Sequence, residues 1–176
     1  MLADSFRLMA RYNQWMNNAL YGAAVGLPDD ALRLERGAFF GSILGTLNHI
    51  AVADTLWLKR FAEHPAKWPA LAQMKEAPQP DSLRGSLFGS MGELDHYRRW
   101  LDQVIVDWAA ALADVDLQRT LHYANTSGVP YARRFDGLVL HFFNHQTHHR
   151  GQATTLLFQA GVDVGVTDLA TLLPNA

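Results

Sequence analysis

Apolar residues recur every three or four positions over four long stretches of the chain, which is the spacing of one face of an α-helix. The first stretch predicts a helix from about Ala3 to about Gly26. Ser42 can cap a second helix that runs to about Glu63. Residues 28–40 between these two helices are expected to form a short helical turn and an irregular link.

Two further helices are predicted in the second half of the chain. The third covers residues 81–113, opening at Asp81-Ser82. Residues 65–80 contain four of the seven prolines and are expected to form a surface connection before it. The fourth helix covers residues 136–160, with Asp136 as its N-cap and Gly161 in the position that follows a helix end.

Between the third and fourth helices the period changes from helical to strand-like. Residues 117–123 and 129–135, joined by Asn125-Thr126-Ser127-Gly128, predict a small hairpin, and Pro130 makes it an edge ribbon. A last short turn is expected at residues 168–173. Long amphipathic helices with these links predict an all-α protein, a four-helix bundle with a short hairpin before the last long helix. The length of 176 residues suits a single domain, 1–176.

The composition narrows the possible functions. Apolar residues make up 49% and charged residues 18%, as in folded globular proteins, and no apolar run is long enough to cross a bilayer. The formal net charge of −2 without a basic run gives no electrostatic case for a nucleic-acid partner. Because the N-terminus lacks a signal-peptide pattern, we expect a cytoplasmic protein. The chain has no cysteine, so a metal would need nitrogen and oxygen ligands.

Three histidines fall on the apolar faces of their predicted helices. On the fourth helix, His145 and His149 are about 40° apart, and apolar Leu138 lies within about 20° of His145. On the second helix, apolar Ala53 and Leu56 lie within about 40° of His49, so its ring points inward too. Burying imidazoles without partners costs on the order of 1–3 kcal/mol each. One divalent metal ion bound by all three would turn this cost into a gain.

The metal hypothesis has alternatives within the same sequence. Histidine pairs four apart also occur on solvated helix surfaces, so the pair by itself is compatible with a structural role. A different set that includes His141 is poor, because His141 and His149 are separated by about 12 Å of helical rise. His141 is therefore expected at the rim of the site, and His148 is expected to be a solvated neighbour.

Two segments of the chain resemble the DinB (YfiT-like) family. They are Leu47-Asn48-His49-Ile50-x₃-Asp54-x₂-Trp57 and Asn144-His145-x₂-His148-His149-Arg150-Gly151-Gln152, and the order of elements agrees along essentially the whole chain. The resemblance implies that His49, His145 and His149 bind one divalent metal ion and that the protein is a homodimer. It also implies a candidate reaction, since some relatives transfer low-molecular-weight thiols such as mycothiol, bacillithiol or glutathione.

Other polar residues have weaker claims to the site. Gln152 lies within about 20° of His145 and can hydrogen-bond a metal ligand or a substrate, which makes it the one catalytic candidate. Asp54 points about 140° away from His49 and is expected to pair with a cation on another helix, such as Arg150. Arg133 and Arg134 can bind an anionic substrate, although a solvated edge explains them as well.

Three classes of function follow from these residues. The first is a metal-dependent transferase that uses a low-molecular-weight thiol, with zinc or nickel as the metal and a small-molecule substrate. The second is a metal-dependent hydrolase, which needs a base near the metal, and only Gln152 is in a suitable place. The third is a non-catalytic metal-binding protein of a stress response. Tryptophans at helical spacing are expected in the core or at a dimer interface.

Overall fold

The computed structural model describes residues 1–174, and most of them are helical, as the apolar periodicity predicts. The long helices are α1 (Leu2–Val25), α3 (Ile43–Phe61), α5 (Met91–Ala110) and α7 (Phe135–Gln159). The short ones are α2 (Asp29–Arg33), α4 (Pro69–Ala72) and α6 (Asp114–Leu117), and 3₁₀ turns lie at Gln73–Lys75 and Leu169–Leu172. A small antiparallel sheet is formed by β1 (Thr120–Ala124) and β2 (Pro130–Arg134).

The predicted cap of α3 is confirmed, whereas the predicted start of α5 is wrong. The Ser42 hydroxyl accepts a hydrogen bond from the Gly45 amide at 3.1 Å. The third long helix begins at Met91 rather than at Asp81, and Ser90 caps it by accepting from the Glu93 amide at 3.2 Å. Residues 81–90 are non-helical because side-chain hydrogen bonds from α3 hold their backbone in a different conformation.

The start of α7 differs from the prediction and its end agrees with it. Asp136 is not the N-cap; it lies in the first turn and accepts hydrogen bonds from Arg134, the residue before the helix. At the other end, Gly161 follows the helix with φ +82°, a left-handed conformation that suits glycine. The helix therefore runs for 25 residues, with His145 and His149 in its middle turns.

The long helices pack in a defined order. Helix α1 lies against α5 and α7, and α3 lies against α7 and α5. Aromatic rings fill the centre: Phe61, Trp108, Phe135 and Phe142 are all at most 1% exposed and contact one another. Of the other tryptophans, Trp68 is also buried, and Trp15, Trp57 and Trp100 are half-buried against the core.

A buried ionic network crosses the interior. Arg98 on α5 contacts Asp54 on α3 at 2.6 Å and Asp102 at 2.8 Å, and all three side chains are about 1% exposed. The expected partner of Asp54, Arg150, instead donates a hydrogen bond to Asn13. Arg98 takes its place because it extends from α5 directly between the two carboxylates. Burial raises the pKa of Asp102 to about 6.

The predicted hairpin is confirmed, and its register decides which side chains face the helices. Leu121 is paired with Arg133, and Tyr123 with Tyr131. Leu121 is 2% exposed, so its face of the ribbon is the one turned toward the core. Leu117, predicted as the start of the first strand, ends α6 instead. Within residues 1–174, no helix is both long enough and apolar enough to span a membrane.

Candidate metal centre

The structure brings together the three histidines that the sequence singled out. His49 comes from α3, and His145 and His149 come from successive turns of α7, the helix packed against it. The Nε2 atom of His49 lies 3.3 Å from Nε2 of His145 and 3.2 Å from Nε2 of His149. One ligand atom from each residue falls within 4.8 Å of the other two, and no other set of this kind occurs in residues 1–174.

Hydrogen bonds at the far side of two rings fix their tautomers. Nδ1 of His49 is 2.9 Å from the Leu83 carbonyl oxygen, and Nδ1 of His149 is 2.8 Å from Oε1 of Gln152. Both oxygens are acceptors, so each Nδ1 carries the proton and each Nε2 presents a lone pair to the centre of the cluster. Gln152 thus contacts His149 directly, and its catalytic role stays a prediction.

The environment keeps these rings neutral. Burial lowers the pKa of His49 to about 4 and that of His145 to about 3, and the neighbouring imidazoles lower the pKa of His145 further. Burial also lowers the pKa of His149. Neutral imidazoles are the form that binds metal ions, so the cluster is in its ligating state at neutral pH.

The spacing of the nitrogens fits a single bound ion. Two lone pairs from His49 and His149 facing each other at 3.2 Å repel, and a cation between them would reverse the sign of that interaction. Metal–nitrogen bonds of about 2.05 Å at a tetrahedral angle separate the two nitrogens by about 3.3 Å. The distances in the cluster match this value. The three-histidine group can therefore hold a metal ion, and imidazole nitrogens suit zinc, nickel, copper and iron alike.

Comparisons with known proteins identify the family of the chain. The model of the DinB family matches residues 1–174. The chain belongs to the DinB family. It is 28% identical over 177 residues to Protein DinB of Bacillus subtilis (strain 168), a match that covers 98% of this chain and 95% of that protein. No solved structure matches the chain.

Two parts of this DinB-family chain that the sequence did not indicate complete the surroundings of His49. The Phe40 ring stacks on the His49 ring with centroids 3.7 Å apart and meets His149 edge-on at 5.5 Å. Phe40 lies in the irregular link before α3, where apolar periodicity gives no information on facing. Leu83 acts through its backbone carbonyl, so its side-chain type carries no signal of this role.

Asn48 explains how the Leu83 carbonyl reaches His49. Its Oδ1 accepts from the Leu87 and Phe88 amides at 2.9 and 3.1 Å, and its Nδ2 donates to the Phe88 carbonyl at 3.1 Å. These bonds hold residues 81–90 along α3, next to the metal-ligating face.

The other candidate residues lie outside the three-histidine group. His141 is exposed, and its ring centroid is 5.9 Å from that of His145, which agrees with its expected place at the rim. His148 is exposed and its Nε2 lies 3.2 Å from Nε2 of Gln152. Arg133 and Arg134 line a cavity of about 540 Å³ that also includes His141.

Proposed function

We propose that His49, His145 and His149 bind one divalent transition metal ion, zinc or nickel. The convergence of three Nε2 atoms, with two rings oriented by hydrogen bonds from Nδ1, is the observation that carries this proposal. In metal sites, the non-ligating N–H of a histidine usually donates to a hydrogen-bond acceptor, which fixes the ring and raises the basicity of the ligating nitrogen. Membership of the DinB family fits metal binding by this group.

We further propose that the centre serves an enzyme that transfers a low-molecular-weight thiol to an electrophilic substrate. Three protein ligands leave a position for an exogenous group, which is typical of catalytic rather than structural zinc sites. When bound, the metal would lower the pKa of a thiol and stabilise its thiolate. No carboxylate joins the histidine group in residues 1–174, and a metal-activated thiol needs no protein base. This favours the transferase over a hydrolase.

The chain's own residues have definite tasks in such a reaction. Leu83 and Gln152 hold the imidazole tautomers, and the Phe40 ring covers one side of the cluster and limits the access of water. The thiolate sulfur supplies the electron pair of the new carbon–sulfur bond. The leaving group departs with the electrons of the broken bond, and the thiol proton passes to solvent.

The overall assembly is also a proposal. The order of contacts among α1, α3, α5 and α7 supports a four-helix bundle. The solvent-facing residues of α7 include Leu140 and Phe158, 63% and 72% exposed, and none of the exposed positions of α7 is charged. Such a face supports a homodimer that pairs through α7. The cytoplasmic location and the single domain remain predictions.

Metal analysis of untagged protein tests the centre. We expect close to one equivalent of a transition metal per chain, and loss of the metal in His145→Ala. His141→Ala and His148→Ala should retain it, because neither ring belongs to the group. Protein without near-stoichiometric metal after reconstitution with Zn²⁺ and Ni²⁺ would refute the metal proposal.

Turnover measurements test the reaction separately. Metal-loaded protein is incubated with glutathione, bacillithiol or mycothiol and a chromogenic electrophile such as 1-chloro-2,4-dinitrobenzene. We expect thioether formation that disappears on chelation and in His145→Ala. Activity that survives chelation, or stoichiometric metal without transfer to any electrophile, would exclude the transferase; the second result would favour a non-catalytic metal-binding protein.

A further inference from the structure

The cavity of about 540 Å³ beside the cluster is bounded by an unusual combination of side chains. Trp57 from α3 and Tyr123 from β1 provide aromatic walls, with ring centroids 5.4 Å apart. His141 is shared between this cavity and the histidine cluster: its ring centroid lies 5.2 Å from Trp57 and 5.9 Å from His145. A molecule in the cavity would therefore be a near neighbour of the proposed metal. The volume is within the ordinary range for small-molecule sites.

The two arginines that line the cavity are not equivalent. Arg134 is already engaged, because its Nε and Nη2 donate to the two carboxylate oxygens of Asp136 at 3.3 and 2.6 Å. Arg133 has no carboxylate within ion-pair distance in residues 1–174, and its guanidinium lies over the Tyr131 ring at 5.2 Å. Its strand partner is the buried Leu121, so Arg133 is on the face of the ribbon that is turned toward the helices.

A third arginine adds positive charge next to the aromatic walls. The guanidinium of Arg60 lies 4.7 Å from the Trp57 ring centroid and 5.4 Å from that of Tyr123. Arg60 is half-buried, and no carboxylate pairs with it among the residues described. Burial lowers the pKa of Arg60, as expected for a cation that has no paired carboxylate. Arg60 lines a neighbouring cavity rather than this one, so Arg133 is the unpaired cation among the described lining residues of this cavity, none of which is acidic.

We propose that this cavity binds a planar aromatic carboxylate, with its ring against Trp57 and Tyr123 and its carboxylate on the free guanidinium fork of Arg133. Flat aromatic walls favour a flat ring, and the fork of an arginine matches the two oxygens of a carboxylate. A phosphate dianion would need more donors than the one unpaired fork that lines the cavity. The proposal rests on the proposed function only for the role of the acid, which would be the electrophilic substrate.

Calorimetric titration with benzoate tests the site directly. We expect benzoate to bind both metal-loaded and metal-free protein. Benzamide, which keeps the ring without the charge, and acetate, which keeps the charge without the ring, should each bind at least about tenfold more weakly. Phenyl phosphate should bind more weakly than benzoate; tighter binding of phenyl phosphate would overturn the choice of carboxylate.

Substitutions identify the anchoring side chain. Arg133→Gln should weaken benzoate binding about tenfold or more, and Arg133→Lys should restore only part of it because an ammonium lacks the fork. Arg119→Gln is the matched control, since Arg119 is exposed just before the same hairpin and does not line the cavity. Both Arg133 variants change an exposed residue of an edge strand, and circular dichroism confirms their folding.

The outcomes separate this proposal from that of the metal centre. Unchanged benzoate affinity in Arg133→Gln, or no binding by wild-type protein, would refute the carboxylate site while leaving the metal content untouched. Binding that requires the metal would show that benzoate coordinates the ion instead, and this result would also refute the site. Absence of metal with benzoate binding intact would refute the proposed function and leave the cavity assignment standing.

Discussion

At the scale of single residues, the hydrogen bond made by Nδ1 of an imidazole decides whether its Nε2 presents a lone pair to a metal ion. The Leu83 carbonyl fixes the His49 ring, and the Gln152 side chain fixes the His149 ring. Nδ1 of His145 is buried and has no hydrogen-bond partner in the part of the chain that the structure describes. The protein therefore orients two of the three ligands by direct bonds, and orients the third by packing within α7.

Gln152→Ala should weaken metal binding about 10- to 100-fold, the usual effect of losing an acceptor behind a ligating histidine. Gln152→Glu should retain or strengthen it, because a carboxylate accepts the same proton more strongly. Competition with a chelator of known affinity measures the change. Gln159→Ala, on the exposed last turn of α7, serves as the control. Equal affinity in Gln152→Ala and wild type would show that the contact does not orient a ligand.

The lowered pKa of His49, about 4, predicts how the stability of metal-free protein varies with pH. Between about pH 6.5 and 4 the unfolded chain binds a proton at this position and the folded chain does not. Unfolding is therefore favoured as the pH falls, by about 1.4 kcal/mol per pH unit for this proton. Urea titrations across this range should show a smaller slope for His49→Gln than for wild type. Parallel pH profiles for the two proteins would contradict the assigned shift.

At the scale of elements, the helices that carry the ligands are fixed by the buried ionic network. On α7, His145 is followed by Gln146, which donates to Asp54 of α3 at 2.8 Å. His149 is followed by Arg150, which donates to Asn13 of α1. Ligands and network residues thus alternate along α7, so the network sets the rotation of the helix about its axis and with it the direction of both imidazoles.

Arg98→Ala and Arg99→Ala compare neighbouring arginines in different environments. Removal of Arg98 leaves Asp54 and Asp102 buried without a counter-charge and should destabilise the protein by about 3–5 kcal/mol. Removal of Arg99, which is half exposed and paired with Asp95, should cost no more than about 1 kcal/mol. Urea unfolding of metal-free protein measures both.

The pH dependence of the stability of Arg98→Ala distinguishes the effect of unpaired charge from the effect of lost packing. Without the guanidinium, the folded state holds protons on the buried carboxyls more tightly than the unfolded state does. The stability deficit relative to wild type should therefore shrink as the pH falls toward 5. A deficit that is the same at pH 5 and pH 8 would show that lost packing, rather than unpaired charge, causes the destabilisation.

At the scale of the whole molecule, the solvent-facing side of α7 is unusual for a monomer because it has no charged residue. Its exposed positions include no Asp, Glu, Lys or Arg, and Arg150, the one arginine or lysine of the helix, is buried. A long uncharged face on the helix that also supplies two metal ligands is what the proposed homodimer requires. The metal centre and the dimer interface would then share helix α7. Metal binding and dimer formation would each stabilise the position of this helix.

Leu140→Arg should convert a dimer to a monomer, because it places a charge within the uncharged face of α7. Light scattering coupled to size-exclusion chromatography at micromolar concentration measures the mass. Val115→Arg, on α6 and 61% exposed, is the control and should leave the mass at twice that of one chain. A wild-type protein that elutes as a monomer would exclude the homodimer, and a dimeric Leu140→Arg would exclude this face as its interface.

The sequence by itself determined the four long helices, the hairpin and the identity of the three grouped histidines. These follow from periodicity, since an α-helix turns 100° per residue and so fixes which side chains share a face. The tertiary structure decided what periodicity does not encode. The Leu83 carbonyl, the Phe40 ring and the pairing of Asp54 with Arg98 depend on where irregular segments and other helices lie. Helical facing is a local property, whereas contacts between distant segments arise only when the whole chain packs.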